Sequence, residues 1–349
     1  MKWAKESIRD LEKYATPQKT AEVELDSNEG RNVCLGDFCE SSFLRDLEIN
    51  RYPDGGSCLL RQELGAYLEL PPANIVAGNG SSEMIDLVMK AFLEMGDTIL
   101  SISPSFSMYR VFAKIYSVNL ASVKTRADFS VDADSVIEGI KTARPKAIFL
   151  CNPNNPTGYL MEKEEVIAIL ESTDGILVAD EAYMEFAKGS LVQDVTKHDN
   201  LIVLRTMSKA FGLAGLRLGC LAANEEIVEM INRVRPPYNL NVVTQHLGVK
   251  ALREKEKMLT YVEEVNIERE YLFDGLKNLG IKVYPSSANF LFFQCPVAGL
   301  GQKLQAKGLL IRSFSGELKS YYRVSVGSRD ENRKFLSSME EIVNRELVR

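Results

Sequence analysis

Lys209 closes the run Leu-Arg-Thr-Met-Ser-Lys, with hydroxyls at Thr206 and Ser208 before it and Arg217 eight positions after it. A lysine at the mouth of a buried strand can be desolvated, which lowers its pKa and frees the amine as a nucleophile. The hydroxyls and the arginine form a donor set for a phosphate. The alternative is a solvated lysine in a surface turn. Asp180 follows four apolar residues, where a carboxylate is costly to bury without a cation, unless it caps a helix. A protonated pyridine nitrogen would be such a cation, and Tyr183, three residues on, can reach a ring oxygen. Asn155 lies in the turn-forming run Asn-Pro-Asn-Asn-Pro-Thr-Gly. Gly78-Asn79-Gly80-Ser81-Ser82 follows another apolar run; free N–H groups at a helix start bind anions there, or Ser81 or Ser82 caps the helix. A nicotinamide cofactor needs no lysine, and a P-loop spaces its lysine differently. Pyridoxal 5'-phosphate uses all four parts: an aldehyde trap, a ring-nitrogen partner, a phosphate site and a donor to the ring hydroxyl.

These residues need a scaffold that brings distant positions to one edge. Short apolar runs at 74–77, 98–102, 147–151, 176–179, 201–204 and 216–222 read as strands buried on both faces. Amphipathic stretches such as 82–95 and 163–170 lie between them as helices. Alternation of this kind predicts an α/β fold with a mainly parallel sheet between helical layers. After about position 245 the pattern changes. One long helical stretch, 245–279, precedes short strands at 282–284, 289–293, 309–311 and 322–326, with helices at 299–306 and 330–344. The reading is an N-terminal arm (1–36) that is part of the small lobe, a large cofactor-binding domain (37–245) and a small α+β domain (246–349).

The chain has 349 residues, 45% of them apolar and 26% charged, with a net charge of −6. That suits a soluble enzyme with a sizeable core and argues against a partner held through nucleic-acid phosphates. No window nears the ~18 apolar residues of a membrane span, and the charged start lacks an apolar signal segment, so a cytoplasmic setting is expected. The six cysteines are scattered without a C-x-x-C pair and read as reduced thiols. With only His198 and His246, neither beside a second ligand, no metal site or Ser-His-Asp triad is expected.

The chain resembles the fold-type I pyridoxal-phosphate aminotransferases, and within them the histidinol-phosphate aminotransferase family. The resemblance runs from IRDLEKYATPQKTAEVELDSNE to YYRVSVGS through NRYPDGG, GNGSSE, SPSFSMY, NPNNPTG, ADEAY, SKAFGLAGLRLG, RPPYNLN and PSSANFLFF, in that order. It implies a three-layer α/β/α large domain plus a smaller α+β domain. It makes Lys209 the residue that links covalently to the cofactor and later moves the substrate proton. Asp180 pairs with the ring nitrogen, Tyr183 and Asn155 hold the ring hydroxyl, and Phe106 stacks on the ring. Phosphate sits among Ser81, Ser82, Thr206, Ser208 and Arg217, joined by Tyr52 from a partner subunit, so the resemblance implies a homodimer with shared sites. It further implies that Arg312, Arg323, Tyr14 and Asn155 recognise the substrates, a small amino donor and a 2-oxo acid. For Arg312 the alternative is an exposed strand-end arginine; for Tyr14 it is simple packing. Two positions depart from the family pattern: Gly30-Arg31 follows Asn28-Glu29 where Asn-Pro is usual, and Ser313 follows Arg312 where aspartate is usual. The implied reaction is amino transfer from histidinol phosphate to 2-oxoglutarate. Aromatic amino-acid transfer is a related option. So is threonine-phosphate decarboxylation, against which the run Pro236-Pro237-Tyr238-Asn239 speaks. Use of the fold as an effector sensor in a transcription regulator would require a DNA-binding module that the chain does not display.

Overall fold

Continuous apolar runs form the centre of the molecule, because strands flanked by helices must be apolar on both faces. The computed structural model describes residues 6–9, 11, 21–35 and 47–347. In chain order the strands are β1 (Val23–Leu25), β2 (Ile75–Gly78), β3 (Thr98–Ser103), β4 (Asn119–Lys124), β5 (Ala147–Cys151), β6 (Ile176–Asp180), β7 (Leu201–Thr206) and β8 (Gly219–Ala223). β9 (Lys282–Tyr284), β10 (Phe290–Gln294), β11 (Leu309–Ser313) and β12 (Tyr321–Ser325) follow. The large sheet has the order β2-β8-β7-β6-β5-β3-β4, and within it only β8 runs against its neighbours. The sheet is therefore mainly parallel, as expected.

β4 was not among the expected strands. It lies at the sheet edge with Asn119, Ser122 and Lys124 exposed, so it lacks the apolar run that betrays β5, β6 and β7. The expected strand 216–222 begins only at Gly219, because Ala214–Leu216 makes a 3₁₀ turn and Arg217 takes a left-handed φ of 54°. That turn redirects the arginine toward β7 and the cavity described below.

The smaller sheet has the order β1-β11-β12-β10-β9, with β1 parallel to β11 and the other pairs antiparallel. The long helical stretch is two helices, Val242–Arg253 and Lys255–Asn278, meeting at Glu254. No glycine or proline marks this break, so only packing accounts for it. Tyr261, Val262 and Val265 of the second helix enter the core of the large sheet, whereas Leu272 and Leu276 enter the core of the small one. One helix thus anchors both sheets. Among the described residues, no helix is long and apolar enough to cross a membrane, and no His, Cys, Asp and Glu group could hold a metal. Cys34, Cys58, Cys151, Cys220 and Cys295 are free thiols, all buried except Cys58.

Candidate active site

β2, β3, β5, β6 and β7 share one direction, so their C-terminal ends open on one sheet edge. The chain places β4 on one side of β3 and β5 on the other. Such a switch point is where open α/β sheets form a ligand crevice. A cavity of about 370 Å³ lies there. It gathers Ser81, Ser82, Phe106, Asn155, Asp180, Tyr183, Thr206, Ser208, Lys209, Arg217, Arg312 and Arg323. These come from the ends of β2, β3, β5, β6 and β7, the turn before β8, and the strands β11 and β12 of the small sheet.

Asp180 ends β6, where it is buried. One carboxylate oxygen accepts the Tyr109 hydroxyl at 2.8 Å and the other the Ala182 N–H at 3.3 Å. It has no cationic partner among the described residues, and burial pushes its pKa to about 6 against those two hydrogen bonds. It bonds within a turn and caps no α-helix. The Tyr183 hydroxyl accepts both the Asn28 and the Asn155 side-chain amides at 3.1 Å, and burial raises its pKa to about 12. Asn155 is held from behind, its carbonyl oxygen accepting Arg323 at 2.6 Å.

Lys209 is half-buried in the cavity wall rather than in a solvated turn. Its Nζ donates to the Ser27 carbonyl at 3.0 Å. Burial, reinforced by the Arg323 guanidinium, lowers its pKa to about 8, with Glu29 opposing. Arg323 itself is buried, donates to the Asp26 carbonyl at 2.8 Å and lies over the Phe290 ring. Arg312 is half-buried at the cavity, not simply exposed at a strand end, and makes no ion pair with a described residue.

A family profile described as "Aminotransferase class I and II" matches residues 2–339. The chain belongs to that family. It is 38% identical over 349 residues to the histidinol-phosphate aminotransferase of Caldanaerobacter subterraneus subsp. tengcongensis, covering 97% of this chain and 98% of that protein. Its fold matches the crystal structure of histidinol-phosphate aminotransferase from Sinorhizobium meliloti in complex with pyridoxal-5'-phosphate. That match has a TM-score of 0.88 at 20% identity, over 99% of this chain and 98% of that one. The histidinol-phosphate aminotransferase of Clostridium acetobutylicum matches with a TM-score of 0.83 at 26% identity, over 93% and 99%.

The aminotransferase also has the cradle that a phosphorylated cofactor needs. The helix Gly80–Phe92 starts at the cavity without a side-chain cap from Asn79, and neither serine takes that role, so the first N–H groups remain available to an anion. Gly80, at φ +75°, leaves room for Arg217, whose Nη2 would lie 2.8 Å from an added Cβ. Arg217 Nη1 reaches the Ser208 hydroxyl at 3.5 Å, and Ser208 is tied to Thr206 at 3.0 Å. The Pro-Pro-Tyr-Asn run braces this helix start: Asn239 accepts Arg235 at 2.7 Å and donates to Glu83 at 3.0 Å. A buried carboxylate without a cation, a lysine of lowered pKa and an uncapped helix start together fit pyridoxal 5'-phosphate.

Tyr52 is not in this cavity. It is 82% exposed and stacks on Tyr238 with ring centroids 4.7 Å apart. Tyr14 lies outside the described residues. Tyr109 and Asn28 were missed by sequence reasoning, because their partners lie 71 and 155 positions away. The SPSFSMY motif contains Tyr109, but only the folded chain aims it at Asp180.

Proposed function

We propose that this aminotransferase uses pyridoxal 5'-phosphate to move the amino group of histidinol phosphate to 2-oxoglutarate, giving imidazole acetol phosphate and glutamate, as a cytoplasmic homodimer with shared sites. The observation that carries this reading is the meeting of Lys209, Asp180 and Tyr183 with Arg312 and Arg323 in one cavity. The full-length likeness to proteins named for that reaction supports it.

When bound, the cofactor supplies an aldehyde that takes up the donor amine and a ring that withdraws electrons from the carbon bearing it. Asp180, a buried carboxylate with no cation of its own beside it, would hold the ring nitrogen protonated and so keep that withdrawal strong. Tyr109 keeps the carboxylate aimed by occupying one oxygen. Asn155 and Tyr183 would hold the ring hydroxyl and Phe106 would pack against the ring, while Ser81, Ser82, Thr206, Ser208 and Arg217 would hold the phosphate. Lys209, whose amine burial and Arg323 hold below the ordinary lysine value, would take the proton from the substrate carbon and deliver it to the carbon that carried the cofactor's aldehyde. Arg312 and Arg323 present planar two-pronged donors that suit a phosphate monoester and a dicarboxylate alike, which lets one pocket serve both half-reactions.

Tyr52 supports the shared-site part of this reading, because an exposed tyrosine outside its own cavity is available to a second copy. Phe106, Phe314 and Leu318 give the cavity an apolar wall, which favours an aromatic amino acid as a second donor class. The test is a half-reaction screen without oxo acid. Histidinol phosphate should convert the visible spectrum of the cofactor-loaded protein faster than phenylalanine or tyrosine does. Release of carbon dioxide from threonine phosphate, or conversion by the aromatic donors alone, would replace the proposed substrate.

A further inference from the structure

Asn28 is an unusual residue for a site wall. It is 1% exposed and adopts a left-handed backbone with φ 53°, a conformation that asparagine tolerates better than most side chains. Its backbone is pinned from the small lobe. The N–H donates to the Ser325 hydroxyl at 2.9 Å, and the carbonyl accepts the Asn289 amide at 3.1 Å. What this holds in place is the side chain, whose Nδ2 donates to the Tyr183 hydroxyl at 3.1 Å. Asn155 donates to the same oxygen from another direction, with its own orientation fixed because Arg323 takes its carbonyl.

A phenol oxygen has two acceptor positions and one proton to give. We propose that Asn28 is a positioning residue for the cofactor site: with Asn155 it fills both acceptor positions of the Tyr183 hydroxyl and commits that hydroxyl to donate into the cavity. Without Asn28 the proton has a choice of directions. With it, Tyr183 is a fixed donor facing the ring oxygen of a bound pyridoxal phosphate, and the polarity is set by a segment leading directly from β1 of the small sheet. This rests on the cofactor reading above, whose separate failure would show as wild-type protein that takes up no visible chromophore.

A donor at the ring oxygen favours its anionic form, so it lowers the pH at which the lysine-bound chromophore changes colour. The test is the pH titration of the visible absorbance in Asn28→Asp, Asn28→Gly and Tyr183→Phe, and in the double variant Asn28→Asp/Tyr183→Phe. Aspartate keeps the shape and the left-handed backbone but replaces a donor with an acceptor, which turns the Tyr183 proton away. The transition should move up by about 1–2 pH units in Asn28→Asp, by about as much in Tyr183→Phe, and no further in the double variant. Glycine removes the donor and tolerates the backbone, so its shift should be upward and smaller. Unfolding of the cofactor-free variants is followed in parallel, and if aspartate fails to fold the glycine variant decides. An unmoved transition in the folded variants would mean that Asn28 already meets the phenol as an acceptor, or not at all, and would overturn the proposal. An equal shift of Asn28→Asp in the presence and absence of the Tyr183 hydroxyl would trace the effect to the added charge and overturn it too.

Discussion

At Lys209, burial and Arg323 make the charged amine unfavourable in the folded chain, so its pKa falls from the ordinary lysine value to about 8. The neutral, nucleophilic form therefore grows as pH rises through that value. Capture of pyridoxal phosphate by the cofactor-free protein should quicken with a midpoint near 8, and a midpoint in the ordinary lysine range would contradict this assignment. Lys209→Ala should lower turnover by at least about 10³-fold while cofactor still binds through the remaining contacts. If, as we propose, Arg217 supplies the charge that holds the cofactor's phosphate, Arg217→Met should weaken cofactor binding about 10- to 100-fold, as read by equilibrium dialysis. Lys209, Asp180 and Arg217 were legible because charged groups beside buried strands demand an explanation. Tyr109 and Asn28 were not, since a tyrosine and an asparagine are ordinary in sequence and acquire their work only from contacts across the fold.

The elements act as aiming devices. Gly80 shows how narrow the tolerances are: its left-handed backbone starts the helix that opens on the cavity, and an added Cβ would meet Arg217. Gly80→Ala should cost about 1–2 kcal/mol in denaturant unfolding and loosen the cofactor, whereas unchanged stability and binding would show that the turn relaxes freely. The buried strands β5, β6 and β7 could be read directly, because burial on both faces leaves an unbroken apolar run. Edge strand β4 could not, because its exposed positions interrupt that run. Nor could the break at Glu254 be read. The surrounding residues all favour helix, and the two helices separate to serve different packing surfaces.

At the scale of the whole molecule, two sheets with their own cores share the helix Lys255–Asn278, and the cavity lies where β11 and β12 of one sheet face the strand ends of the other. The short strands β9 to β12 of the second sheet could be read from the change in pattern, but not how the segment after β1 returns to the large sheet, since those bonds span 182 to 297 positions. If, as we propose, Tyr52 serves the site of a second copy, Lys209→Ala and Tyr52→Ala subunits should complement each other. Refolding them together in equal amounts should restore about a quarter of the wild-type activity, because half of the dimers then carry one intact site. No recovery beyond the separate variants would place Tyr52 outside the site. The central claim is the covalent one, and borohydride reduction of the cofactor-loaded protein followed by peptide mapping tests it most directly. The account predicts a pyridoxyl group on Lys209 alone; a label spread over surface lysines, or absent from Lys209, would contradict it.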